Sequence, residues 1–296
     1  VALLLAESSI PPFMWAVVRL LAAEGKPLAT DRARALLTPP SLTEGKENKA
    51  FDQALRTLRE LQLIAEEKDP LSLAGHASDL DGTDFTSFSS ALRQAVLAGE
   101  LNVGLADDAG QTGSRDLTRI LVWFLSCDPL DGPATWAIVQ REQSIDLNPD
   151  AGTASRNDTR WNRFVHWAPA LGLAAAPLLP TSGVGPLLPD CTEAVRQTVQ
   201  RLWPVGERVN AVDAARTLRT ALPVLPGGDY ANAMGVSDPG AQSAGAALSY
   251  ALLRGEDEGW LVLQQDADAQ RVLTLHDPDR PSHYVSDIVI SEDQHG

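Results

Sequence analysis

Proline and glycine divide this chain into short amphipathic stretches, and the same series of signals recurs three times: a helix, a second helix, a third helix, then a short apolar strand. That order constrains the fold more than any composition figure. Short helices with one apolar stripe gain most of their stability by packing that stripe onto each other and onto a sheet. The first series starts at Pro11-Pro12, residues suited to the first turn of a helix. Phe13, Val17, Leu20 and Leu21 follow at helical spacing, and Gly25 and Pro27 stop the helix. Thr30 can cap a second helix that turns Ala33, Leu36 and Leu37 inward, ended by Pro39-Pro40. A polar loop leads to a third helix with Phe51, Leu55, Leu58 and Leu61 on one face. Leu63-Ile64-Ala65 then reads as a strand, and Leu71-Ser72-Leu73 as its return. Three helices and a two-stranded hairpin form the winged helix-turn-helix arrangement.

The second series has Leu117, Ile120, Leu121, Phe124 and Leu125 on its first helix. Pro133 opens a second helix with Trp136, Ala137 and Val139, and a polar loop over 144–156 leads to a third with Trp161, Phe164, Val165 and Ala168. Leu171-Gly172-Leu173 repeats the exit from helix to strand. The third series is less regular: Val195, Val199 and Leu202, then a helix capped by Asn210, then one over roughly 243–254. Residues 260–263 and 272–275 flank Asp266 to Ala269 and read as a hairpin, with a further strand over 284–290. The expected fold class is α+β, mainly α, with tandem winged-helix-like modules and small β-hairpins. The modules span 1–75, 115–176 and 191–296. A linker with one helix (76–114) and a Pro/Gly-rich linker (177–190) join them. The modules share an order of elements, not a residue motif.

Charge bears on what such modules can bind. The net charge is −15, unevenly spread. Residues 1–75 carry all four lysines and nine basic against ten acidic residues, whereas the remainder carries fifteen against twenty-nine. So acidic a surface repels a phosphate backbone at long range, so any contact with DNA must be local. Two cysteines, Cys127 and Cys191, stand apart from any Cys/His cluster, which fits a reducing, cytoplasmic compartment and no disulfide framework. The apolar start lacks the basic region of a signal peptide, and no apolar run is long enough for a membrane span.

In a helix-turn-helix protein the exposed face of the third helix reads DNA. On the first module Lys49, Gln53 and Arg56 stand at i, i+4 and i+7, opposite the apolar face, with Lys46 just before them. On the second, Arg156, Arg160 and Arg163 repeat the spacing. Arginine and glutamine suit base edges, and lysine and arginine suit phosphates. These seven residues are the candidate nucleic-acid-binding set. A solvated helix face carries the same residue types, and Glu47, Asp52 and Glu60 lie close enough to blunt the first set. The third module offers only Ser249, Tyr250 and Arg254. His276, Asp277, Asp279 and His283 lie near each other but on a proline-broken loop, without the ligand spacing of a metal site. No phosphate-binding loop, nucleophile elbow or zinc-protease motif occurs, so neither a catalytic residue nor a cofactor is expected.

The segments RILVWFLSCDP (119–129), WNRFVHWAPALGL (161–173) and HYVSDIVI (283–290) give the chain a further likeness. It resembles the DpdG-like accessory proteins of bacterial anti-phage islands that install 7-deazaguanine in DNA. The resemblance implies a non-enzymatic component of a multi-protein, DNA-acting system and carries over no catalytic residue. Two functions follow as expectations. One is an adaptor that contacts other protein subunits; the other is a DNA-binding winged-helix protein or transcriptional regulator.

Overall fold

The computed structural model describes residues 3–39, 49–67, 69–107, 113–132, 134–143, 155, 157–179, 185–280 and 283–292. In chain order the helices are α1 (Pro11–Glu24), α2 (Thr30–Leu37), α3 (Ala50–Glu60), α4 (Phe85–Val96), α5 (Arg115–Ser126), α6 (Trp136–Glu142), α7 (Asp158–Ala170), α8 (Thr192–Leu202), α9 (Ala211–Ala221), α10 (Asp229–Ala233) and α11 (Ala246–Asp257). The strands are β1 (Arg208–Asn210), β2 (Leu261–Gln264), β3 (Leu273–Leu275), β4 (His283–Val285) and β5 (Asp287–Ile290). The class is α+β, mainly α, with small antiparallel sheets. Contacts group the chain into two units. One comprises Val1–Val103, Gln111–Leu117 and Thr159–Leu171; the other comprises Gly104–Gly110, Thr118–Asp158 and Gly172–Gly296.

In the first unit α1 begins on its two prolines and stops at Gly25, whose φ of 61° suits a left-handed C-cap. Its inward stripe is Met14, Val17, Val18 and Leu21. Phe13, expected inside, is 42% exposed, because the buried face is turned by one residue so that Met14 takes the core position. Leu36 of α2 is likewise exposed, leaving Ala33 as that helix's buried residue. On α3 the buried positions are Phe51, Ala54, Leu55, Thr57 and Leu58. After α3, Ile64 pairs with Leu73, and Leu71 on the same returning segment pairs with Leu28, between α1 and α2. The Leu28 and Leu71 backbones exchange hydrogen bonds of 2.9 and 2.8 Å. The pairing order is therefore Leu28, then Leu71–Leu73, then Ile64.

The helix expected inside 76–114 is α4. Asp84 caps it by accepting the N–H groups of Thr86 and Ser87 at 2.8 and 2.9 Å. Phe88 of α4 packs with Phe85 and with Trp15 of α1, ring centroids 5.2–5.8 Å apart. On α7, Trp161, Phe164 and Trp167 are fully buried, and the first two rings stack at 5.0 Å. The leading residues 3–9 are pinned to this unit: Leu3 and Leu4 are buried, and the Trp167 indole N–H donates to the Ser9 carbonyl at 2.9 Å.

In the second unit Ala134, before α6, pairs with Leu187, and Ala175 pairs with Leu188. Trp136, expected inside on α6, is only half-buried, and Val139 is the buried residue of that helix. Farther on, α8, β1, α9, α11, β2 and β5 follow in sequence, with β5 between β1 and β2 in an antiparallel sheet. Each series thus places its last strand segment between the one before its second helix and the one after its third.

The hairpin expected between residues 260–263 and 272–275 does not form. A turn is present, with Ala269 N–H donating to Asp266 at 3.2 Å, but it leads out of the sheet. β2 pairs with β5, and β3 pairs with β4 in a separate two-stranded sheet. The choice follows from burial: Ile288 and Ile290 lie opposite Leu263 and Leu261, which brings apolar residues together across strands on the inner side.

Candidate interaction faces on the third helices

Of the candidate nucleic-acid-binding residues, Lys46 and Arg156 lie outside the described residues. On α3, Lys49 and Arg56 are exposed. Gln53 is half-buried, and its side-chain oxygen accepts the Ser8 N–H at 2.6 Å. One turn on, the Thr57 and Ser9 hydroxyls are 2.7 Å apart. The leading segment therefore contacts the Gln53 flank of α3, while Lys49 and Arg56 stay exposed. Arg34 of α2 grips Asp52 through two hydrogen bonds of 2.6 and 3.0 Å and lies 4.8 Å over the Phe51 ring. That guanidinium holds the Asp52 carboxyl below the usual carboxylate range, so the acid nearest the open side is partly offset.

On α7 the expected face is not free. Arg160 is buried, 6% exposed, and Arg163 is half-buried. Arg160 stands at i−4 and i−7 from Phe164 and Trp167 and so shares their inward flank. Its charge is felt by Asp116, which is fully buried and accepts the N–H groups of Leu4 (3.2 Å) and Leu117 (2.9 Å). Burial pushes the Asp116 carboxyl up to about 6, against the pull of these N–H donors and of Arg160.

On α11 the outer face is roofed. Tyr250, Leu253, Arg254 and Asp257 line a cleft of about 360 Å³ whose other walls include Leu130, residues 276–280 and His283. Residues 276–280 are tied down at three points. The His276 N–H donates to the Ser249 hydroxyl at 2.8 Å, the His276 ring lies 3.1 Å from Asp128, and the His283 ring lies 2.8 Å from Asp277. The bond from His283 holds Asp277 below its ordinary range. Arg254 is bound to Asp190 at 2.7 Å and to Glu258. Ser249 and Arg254, the polar residues expected on this face, are thus spent inside the molecule. The sequence carries no signal that the distant residues 276–280 would lie over them. Among the described residues no group of three or more His, Cys, Asp or Glu side chains is placed to hold a metal ion.

The sequence matches the DpdG-like family over residues 1–269. The chain belongs to the DpdG-like family. Membership points to a component of a multi-gene DNA-modification or defence system. No curated protein and no solved structure matches this DpdG-like chain. Among its described residues no helix is long and apolar enough to cross a membrane.

Proposed function

We propose that this DpdG-like chain is a non-catalytic, cytoplasmic adaptor whose winged-helix-like modules hold other protein subunits of a DNA-acting defence system. The observation that carries this reading is the fate of the third-helix faces, which a winged-helix protein would offer to DNA. Arg160 on α7 is buried, Gln53 on α3 is engaged by Ser8, and α11 looks into a cleft with carboxylates on its walls. Such faces suit protein contacts better than a phosphate backbone, and the overall charge of −15 acts in the same direction. The test is co-expression with the DNA-acting proteins of the same system, followed by size-exclusion chromatography. An adaptor co-elutes with a partner, and the isolated chain leaves duplex DNA unshifted at ~150 mM salt.

A second reading, direct DNA binding, draws on Lys49 and Arg56, which remain exposed on α3. It predicts a duplex shift that weakens steeply with salt and is lost when Lys49 and Arg56 are both replaced by alanine. A partner complex that survives Lys49→Ala/Arg56→Ala, with no shift by either protein, favours the adaptor.

A further inference from the structure

The cleft over α11 has a charge balance that none of the sequence motifs indicated. Five carboxylates line it: Asp128, Glu256, Asp257, Asp277 and Asp279. Against them stand Arg254, Arg280 and two histidines. Arg254 is already matched by Asp190 and Glu258, so it adds little net positive charge to the cleft. His276 and His283 are each bound to one of the carboxylates, and together with Arg280 they are fewer than the five acids. The cleft therefore carries a surplus of acidic groups.

Its chemistry is not only acidic. Leu130 is 51% exposed at the rim, and Leu253, Ala246 and Pro278 supply apolar wall. Tyr250 adds an aromatic ring that already carries the Arg254 guanidinium 5.9 Å from its centroid, so its remaining surface suits an aliphatic stem more than a second cationic head. Low-dielectric walls around carboxylates focus the field toward a cation entering between them. Nucleic acid is repelled by the same arrangement.

We infer that the α11 cleft is the docking site for a basic peptide segment of a partner protein, with lysine or arginine heads on Asp257 and Asp279 and their stems or neighbouring apolar side chains on Leu130, Tyr250 and Leu253. The inference rests on the adaptor reading and names the chemistry of one contact within it. Charge complementarity selects the occupant, and the apolar rim distinguishes such a peptide from a free metal cation or a polyamine.

The test uses the full chain and a fluorescently labelled peptide of alternating arginine and leucine, read by anisotropy at low salt. Two control peptides replace the arginines by glutamate and the leucines by serine. The arginine–leucine peptide is expected to bind best, and the glutamate peptide not to bind. Asp257→Asn/Asp279→Asn should weaken binding roughly tenfold, about threefold for each exposed charge removed. Asp268→Asn/Glu292→Gln removes the same charge from exposed positions outside the cleft lining and should leave affinity within about twofold. Leu253→Ser should weaken the arginine–leucine peptide while sparing the weaker arginine–serine one.

The inference is overturned if both double variants weaken binding equally, which would mean diffuse charge attraction. It is also overturned if duplex DNA displaces the peptide from the same residues, or if neither arginine peptide binds. These outcomes are independent of whether a partner subunit co-elutes in the co-expression test. A failed adaptor reading and a failed cleft assignment can therefore be told apart.

Discussion

Gly255 sits inside α11 and is buried. Helix propensity alone predicts that alanine there stabilises the protein by about 1 kcal/mol. The structure predicts the opposite. A Cβ at this position would lie 2.5 Å from Cζ2, 2.7 Å from Cη2 and 2.9 Å from Cε2 of Trp260. Real Cβ atoms do not approach other atoms so closely, so either the helix or the indole must shift. The indole has little room: Trp260 is 1% exposed, its ring N–H donates to Glu258 at 3.1 Å, and its backbone N–H donates to the Gly255 carbonyl at 3.1 Å. Overpacking of this kind costs about 1–3 kcal/mol, with the upper part of that range apt where the blocking group is pinned. Set against the propensity gain, Gly255→Ala should lose about 1–2 kcal/mol net, a fall in Tm of several degrees by calorimetry or near-ultraviolet circular dichroism. All three clashing atoms belong to the six-membered ring of the indole. In a Trp260→Phe background, whose smaller ring leaves space, the same alanine should cost much less, and a double-mutant cycle would report the coupling. A Tm that rises on Gly255→Ala, or an alanine cost unchanged by Trp260→Phe, would refute the steric argument.

Other outcomes are expected. Asp116 has a folded-state pKa raised from 3.8 to about 6, so the folded protein binds the extra proton between about pH 4 and 6. Its contribution is most favourable below that window, declines as pH rises through it and is flat above. The shift corresponds to at most about 3 kcal/mol. Asp116→Asn, which keeps a carbonyl acceptor, should flatten that decline, and urea unfolding at both ends of the window measures it; a difference from wild type that does not change with pH would contradict the assignment. Trp167→Phe leaves the Ser9 carbonyl without the indole donor in a fully buried place and should cost about 2–4 kcal/mol. Trp123 is equally buried, but its indole N–H has no hydrogen-bond partner among the described residues, so Trp123→Phe should cost clearly less by the same unfolding assay.

The helices were legible because each needs only a local pattern. Pro11-Pro12, Gly25 and the Phe51/Leu55/Leu58 stripe mark their elements by spacing alone, and the Ile64 hairpin follows from a turn between two apolar triplets. Leu28 taking part in that hairpin was not legible, since one paired residue between two helices leaves no periodicity. Nor was the exact rotation of a helix: whether Phe13 or Met14 turns inward depends on the neighbouring surfaces. The candidate site suffered from the same limit. A basic residue at i, i+4 or i+7 from another marks a face, but Arg160 shares its flank with Phe164 and Trp167, and only the packed structure reveals it as buried. Gln53 lies on the right face of α3, yet it is held by a backbone N–H 45 residues away, which no spacing rule anticipates.

The failed hairpin at 260–275 explains why three series with one pairing order need not present the same surface. In the first series Ile64 pairs directly with Leu73, and Lys49 and Arg56 are exposed on α3. In the last, the chain leaves after β2, builds β3 and β4, and only then returns as β5 between β1 and β2. The inserted pair brings His276, Asp277 and His283 to the outer side of α11. The exposed edge of β2 is also guarded, because the Leu263 N–H donates to the Glu256 carboxylate at 3.0 Å instead of standing free for another strand. Edge pairing is thereby disfavoured here, and beside that edge lies a walled cleft lined by five carboxylates. A chain that reuses one arrangement of helices and strands can differentiate its copies by what it inserts between the last two strands, and here the insertion converts a surface into a pocket.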